Sequence, residues 1–126
     1  MKIEHIAVAS NSIEDSDKFF CELLDLKKTR TFSVSADLMS HFFEENKEYQ
    51  FARYENENFS VEVIITNDNS KVKDVFTHSC LVVENRDDFL NNALSMGYKT
   101  NKVPRKNNDG YYLFIKDSFG NLYEIK

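Results

Sequence analysis

Apolar residues along this chain recur every second position, then at helical spacing, then every second position again, and the cycle runs twice. Residues 2–9 alternate as a strand, with Ile6 and Val8 on one face and His5 and Ala7 on the other. Residues 12–26 then place Ile13, Phe20, Leu23 and Leu24 on one stripe of an amphipathic helix. Alternation returns at 28–34, 49–54 and 59–66, where Val61, Val63 and Ile65 form an apolar face opposite Glu62. The second cycle is tighter. Residues 77–83 read as a strand, and 86–96 as a helix packing Phe89, Leu90, Ala93 and Leu94 that stops at Gly97. Strands are predicted at 98–103, 111–116 and 122–126, with the turn Asp117-Ser118-Phe119-Gly120-Asn121 between the last two. Asn107-Asn108-Asp109-Gly110 reads as the preceding turn. Each half is therefore βαβββ.

Residue offsets support a duplication. His5 and His78 lie 73 positions apart, as do the cap-like pairs Ser12/Asn85 and Asp15/Asp88. Glu62 and Glu124 lie 62 apart, so the first half carries 11 more residues, most naturally within 38–48. A repeat fixes architecture ahead of any local assignment. The expected fold class is α+β, with paired βαβββ modules forming an open barrel-like cavity. The chain is expected to be a single domain, 1–126, made of module one, 1–70, and module two, 71–126, with the polar stretch 67–71 at their junction.

Composition narrows the functional classes. The chain has 126 residues, enough for a packed core without covalent staples. Its formal net charge of −5 argues against binding nucleic acid or an acidic membrane surface. No apolar stretch reaches membrane-spanning length and no signal-peptide core opens the chain, which predicts a cytoplasmic location. Cys21 and Cys80 are too few for a disulfide framework and read as reduced core thiols.

The two cycles each carry one histidine and one glutamate, in the same order: His5, Glu62, His78, Glu124. Side-chain alternation puts all four on the polar faces of their strands. Two imidazoles with one or two carboxylates suit a divalent transition metal, and leave positions open for substrate oxygens. Such an ion acts as a Lewis acid, while Glu62 and Glu124 are the candidates for proton transfer. Any one of the four, taken singly, reads more simply as a hydrogen-bonded strand histidine or an exposed glutamate; their repeat-related placement favours the metal. His41 reads as a surface or lid residue, and Cys80 shares a face with His78 but reads as a buried inert thiol. Arg30, Arg53, Arg105 and Lys106 each read as solvated charge before anion grip. There is no phosphate-binding glycine loop and no nucleophile elbow.

The segments "EHIAVAS", "FF" with "LLDLK", "THSCLVVEN" and "KDSFGNLYEIK" resemble the vicinal oxygen chelate superfamily, the glyoxalase/fosfomycin-resistance/dioxygenase group, over essentially the whole chain. That family typically closes its last hairpin with Asp-Pro-Asp-Gly-Asn and a ligand Glu; here Ser118 replaces the Pro and Phe119 the second Asp. The ligand order His, Glu, His, Glu looks most like bacterial glyoxalase I. The resemblance implies nickel or zinc as the ion, with iron, cobalt or manganese as further choices, and a homodimer. Where glyoxalase I has an Arg four residues after its first ligand, this chain has Ala9, so use of glutathione is not implied.

The expected function is a metal-dependent, glyoxalase-like lyase or isomerase. It would act on a small substrate with vicinal oxygens by enediolate-type proton transfer. The alternatives are an iron-dependent extradiol-type dioxygenase and a metal-free small-molecule binding or resistance protein of the same fold.

Overall fold

The computed structural model describes all 126 residues, which form two compact units, Met1–Ser70 and Lys71–Lys126. In the first, β1 (Ile6–Ser10) leads into a helix that begins as α1 (Ile13–Ser16) and continues in π-helical form over Asp17–Leu23. Strand β2 (Lys27–Val34), helix α2 (Ala36–Phe43), β3 (Tyr49–Glu55) and β4 (Ser60–Ile65) follow. The second unit runs β5 (His78–Leu81), α3 (Arg86–Ser95), β6 (Lys99–Pro104), β7 (Tyr111–Lys116) and β8 (Leu122–Ile125).

Each unit holds one four-stranded mixed sheet, ordered β1-β4-β3-β2 and β5-β8-β7-β6. In both, the first strand pairs parallel with the last, and the other pairings are antiparallel. A parallel pair needs a crossover, which the helix supplies. The repeat extends to detail. Ser12 Oγ accepts from Asp15 N at 3.1 Å, and Asn85 Oδ1 accepts from Asp88 N at 3.0 Å, so the matching residues cap the matching helices. Ala7 lies opposite Glu62 and Cys80 opposite Glu124.

Alternation sorts the strands as the sequence predicts. Val61, Val63, Ile65, Tyr123 and Ile125 are buried, whereas Glu62 and Glu124 point from the other face of their sheets. The helices differ in part from the expected stripes. The π register, with Leu24 N donating to Phe19 O at 3.1 Å, brings Phe19 into the core beside Phe20 and Leu23, and leaves Ile13 and Leu24 half-buried. On α3, Leu90 and Ala93 are buried but Leu94 is exposed. Gly97 ends that helix at φ +86°, its N–H donating to Leu94 O at 3.0 Å.

The region of the 11 extra residues holds a helix that the strand-by-strand reading did not include. Ser35 Oγ accepts from Leu38 N at 3.3 Å to start α2, and Glu44 at φ +59° ends it. Its Met39 is buried with Val34 and Phe51 and packs against Phe32, Tyr49 and Ile64. Ile64 and Phe51 share a sheet face with Glu62, so α2 covers one end of the face that carries this glutamate. The expectation of core thiols is corrected: Cys21 is half-buried and Cys80 exposed, because Cys80 belongs to the polar face of β5.

Candidate metal centre

In the first unit, Glu62 stands mid-way along β4, and the parallel register with β1 sets His5 beside it. His5 precedes the first residue of β1 rather than lying within the strand. Its Nε2 is 3.6 Å from Glu62 Oε1, and its Nδ1 contacts the Glu4 carboxylate. A carboxylate only accepts, so Nδ1 is the donor in this contact and Nε2 is the ring nitrogen turned toward Glu62. In the second unit, His78 opens β5, and its Nε2 is 3.7 Å from Glu124 Oε2. Here Nδ1–H donates to Phe76 O at 2.8 Å, and Phe114 packs edge-on to the ring at 5.7 Å between centroids. Both imidazoles are thus held through Nδ1 by an acceptor, the usual support of a metal-ligating histidine.

Each Nε2–carboxylate gap is too long for a hydrogen bond. It is close to the separation of two ligands on one cation, roughly 3.0–3.5 Å for bonds of about 2.0–2.2 Å. An imidazole nitrogen and a carboxylate oxygen set at this spacing would suit a cation placed between them. The histidine side chains are 34% and 38% exposed and both glutamates 17%, open enough for a small molecule to reach. The expected ligands therefore meet as two His–Glu pairs, one in each unit. Within neither unit does a further His, Cys, Asp or Glu complete a group of three in metal-holding geometry.

Arg53 is not the solvated charge that the sequence suggested. It lies directly opposite Glu62 in the β3–β4 register and its side chain is only 16% exposed. Its Nη1 is 3.5 Å from Glu62 Oε2, its Nε donates to Glu55 Oε2 at 2.9 Å, and its Nη2 pairs with Glu4. Contacts from His5 and then Arg53 hold the Glu4 carboxyl below the ordinary range. Arg53, Ser60 and Thr29 do the same for Glu55. The second unit places Phe114 at the corresponding register position, and Lys126 Nζ approaches Glu124 Oε1 at 3.5 Å. The signal for Arg53 was available in the hairpin turn. Asn56 Oδ1 accepts from Asn58 N and Phe59 N at 2.9 and 2.8 Å, which closes the turn and sets Arg53 against Glu62. Of the remaining candidates, His41 sits exposed in the last turn of α2, and Arg30 and Arg105 lie over the rings of Phe32 and Tyr112.

The family model for the glyoxalase/bleomycin resistance protein/dioxygenase superfamily matches residues 4–114. The chain belongs to this superfamily. No curated protein matches its sequence. Solved superfamily structures share its fold over nearly the whole length at low identity. The glyoxalase family protein from Bacillus cereus is 12% identical, with a TM-score of 0.72 over 99% of this chain and 92% of that one. The fosfomycin resistance protein FosX from Mesorhizobium loti is 11% identical, with a TM-score of 0.70 over 98% and 89%. FosX from Listeria monocytogenes, a variant of which was crystallised with Mn(II) and 1S,2S-dihydroxypropylphosphonic acid, is 10% identical, with a TM-score of 0.69 over 98% and 89%. The superfamily includes enzymes and resistance proteins, so an α+β chain of this family is a plausible enzyme. No helix here is long and apolar enough to cross a membrane.

Proposed function

We propose that this superfamily member is a metal-dependent lyase or isomerase in which His5 and Glu62 of the first unit, and His78 and Glu124 of the second, serve as ligands to divalent metal. The carrying observation is the matched pair of Nδ1-anchored histidines, each turning Nε2 to a glutamate across 3.6 or 3.7 Å. Imidazole nitrogens with carboxylate oxygens suit nickel or zinc, with manganese, cobalt or iron also accommodated. Once bound, the ion supplies Lewis-acid polarisation of a substrate's adjacent oxygens. The chain's own part is proton transfer. Glu62 or Glu124 takes the proton from the carbon next to a carbonyl and returns it to the neighbouring carbon, an enediolate-type shift. Arg53 Nη1 lies 3.5 Å from one carboxylate oxygen of Glu62 and leaves the other facing His5. The protein would work as a homodimer on a small molecule.

One observation favours a second reading. Arg53 already places a positive charge beside Glu62, which would repel a cation there and suits a metal-free binding protein of the same fold.

Melting temperature decides between them. Chelator-treated protein is scanned with nickel, zinc, cobalt, manganese and ferrous iron, beside Glu62→Ala. An ion present at a hundred times its dissociation constant adds about 2.7 kcal/mol, a rise of several degrees that the variant should largely lose. No shift with any ion removes the metal reading and leaves the binding protein. Oxygen uptake with ferrous iron would point instead to a dioxygenase.

A further inference from the structure

The second unit contains a cavity of about 440 Å³ on the same sheet face as His78 and Glu124. Val75, Phe114 and Leu122 form its apolar wall, and Asn101, Lys99 and Lys116 line it with polar groups. Strand register explains the placement. His78 lies opposite Leu122, Leu122 opposite Lys116, and Lys116 opposite Lys99, which makes one row across four strands. Glu124, Phe114 and Asn101 form the next row on that face.

Two features of this row call for an anion. Lys99 and Lys116 are direct cross-strand partners, an arrangement of like charges that disfavours the sheet. Neither has a carboxylate partner, and no acidic side chain lines the cavity. On a chain with net charge −5, a cavity walled by two unpaired lysines stands out from its surroundings. An oxyanion between the two ammonium groups would relieve their repulsion and accept from both, with the Asn101 amide as a third donor.

We propose that this cavity binds the anionic group, a phosphate, phosphonate or carboxylate, of the substrate whose vicinal oxygens meet the His–Glu centre. The inference rests on the proposed function for the use of that face, and adds the substrate class. Strands are spaced about 4.8 Å apart, so the Lys116 backbone lies roughly 10 Å from that of His78. A lysine reaching back along the sheet brings the charge within the span of a short-chain acid or a small phosphate ester. Phe114 lies between and gives the carbon chain an apolar surface.

The test uses full-length, chelator-treated protein, so that it is independent of the metal. Inorganic phosphate and acetate are titrated separately in moderate salt while backbone amide resonances are followed. Saturable shifts at Thr100, Phe114 and Leu122 are expected with at least one of the anions. Tighter binding of phosphate would assign a phosphoryl or phosphonyl substrate, and tighter binding of acetate a carboxylate. Lys99→Gln and Lys116→Gln should each weaken binding about tenfold, whereas the charge-matched control Lys73→Gln should leave it within about twofold. Absence of saturable shifts with both anions overturns the proposal, as does equal weakening in the control. Failure here with a normal metal-induced rise in melting temperature would remove the anion subsite and leave the metal centre standing.

Discussion

Replacing Asp117 with Ala tests how the closing hairpin holds Glu124 in place. Asp117 is 8% exposed, and its carboxylate is the main side-chain acceptor of the turn between β7 and β8. Its Oδ1 accepts from the backbone N–H groups of Phe119, Gly120 and Asn121 at 3.1, 3.0 and 2.9 Å. Its Oδ2 accepts from Asn121 Nδ2 at 2.8 Å and Tyr123 OH at 3.3 Å. Truncation removes the carboxylate acceptor from all of these donors, although Gly120 N–H keeps its bond to Asp117 O at 3.1 Å. Water can reach the half-buried Gly120 and Asn121, but not readily Phe119 or Tyr123. At about 1.5–3 kcal/mol for a hydrogen bond to a charged acceptor, with the wetter ones discounted, the net loss is about 3 kcal/mol. For a domain of this size that lowers the melting temperature by roughly 10 °C.

Asp117→Asn keeps an acceptor for the three N–H groups and should cost only about 1 kcal/mol. Burial pushes the Asp117 carboxyl above its ordinary range, despite the hydrogen bonds that oppose this. A folded pKa above the unfolded one means a contribution that is complete below the unfolded pKa, and is lost as pH rises through the folded one. The wild-type advantage over Asp117→Asn should therefore be larger near pH 4 than at neutrality, measured by urea unfolding. A loss below about 0.5 kcal/mol for the Ala variant would refute the account of the turn. An advantage that grows with pH would show that hydrogen bonding, not burial, governs the carboxyl.

Gly120 has φ +97°, and an added Cβ would meet Val72 Cγ1 at 2.9 Å. Gly120→Ala should cost about 1–3 kcal/mol in thermal unfolding, with Val72→Ala restoring the part due to the clash. Met39→Ala removes the one buried side chain of α2 and should cost about 2–3 kcal/mol, read by chemical denaturation. Tyr54, stacked on Phe20, and Tyr123 are buried with their hydroxyls bonded to Asp17 and Asp117. Burial first, and then the neighbouring carboxylates of Asp17 and Asp117, hold both phenols well above the ordinary value. Their contribution is complete below about pH 10 and fades above it as the unfolded state ionises. Tyrosinate absorbance from these two should therefore appear only together with alkaline unfolding, and earlier appearance would show that they are accessible.

Much of the architecture was written in the chain because strand and helix periods are local properties. The alternation around Glu62 and Glu124, the caps at Ser12 and Asn85, and the stop at Gly97 each depend on residues within one turn or strand. The pairing of His5 with Glu62 and of His78 with Glu124 was foreshadowed by the 73-residue and 62-residue offsets, since a repeat reuses one strand order. Tertiary structure decided what depends on register and packing. Helix α2 carries Leu38, Met39, Phe42 and Phe43 at helical spacing, yet only Met39 is buried, because packing decides which of them the sheet covers. Leu94 is exposed because the core meets α3 along Leu90 and Ala93. Whether Arg53 and the Lys99–Lys116 pair were solvated surface or part of a site hung on which strands lie beside them. Hydrogen bonding between distant segments sets that, and no local period encodes it.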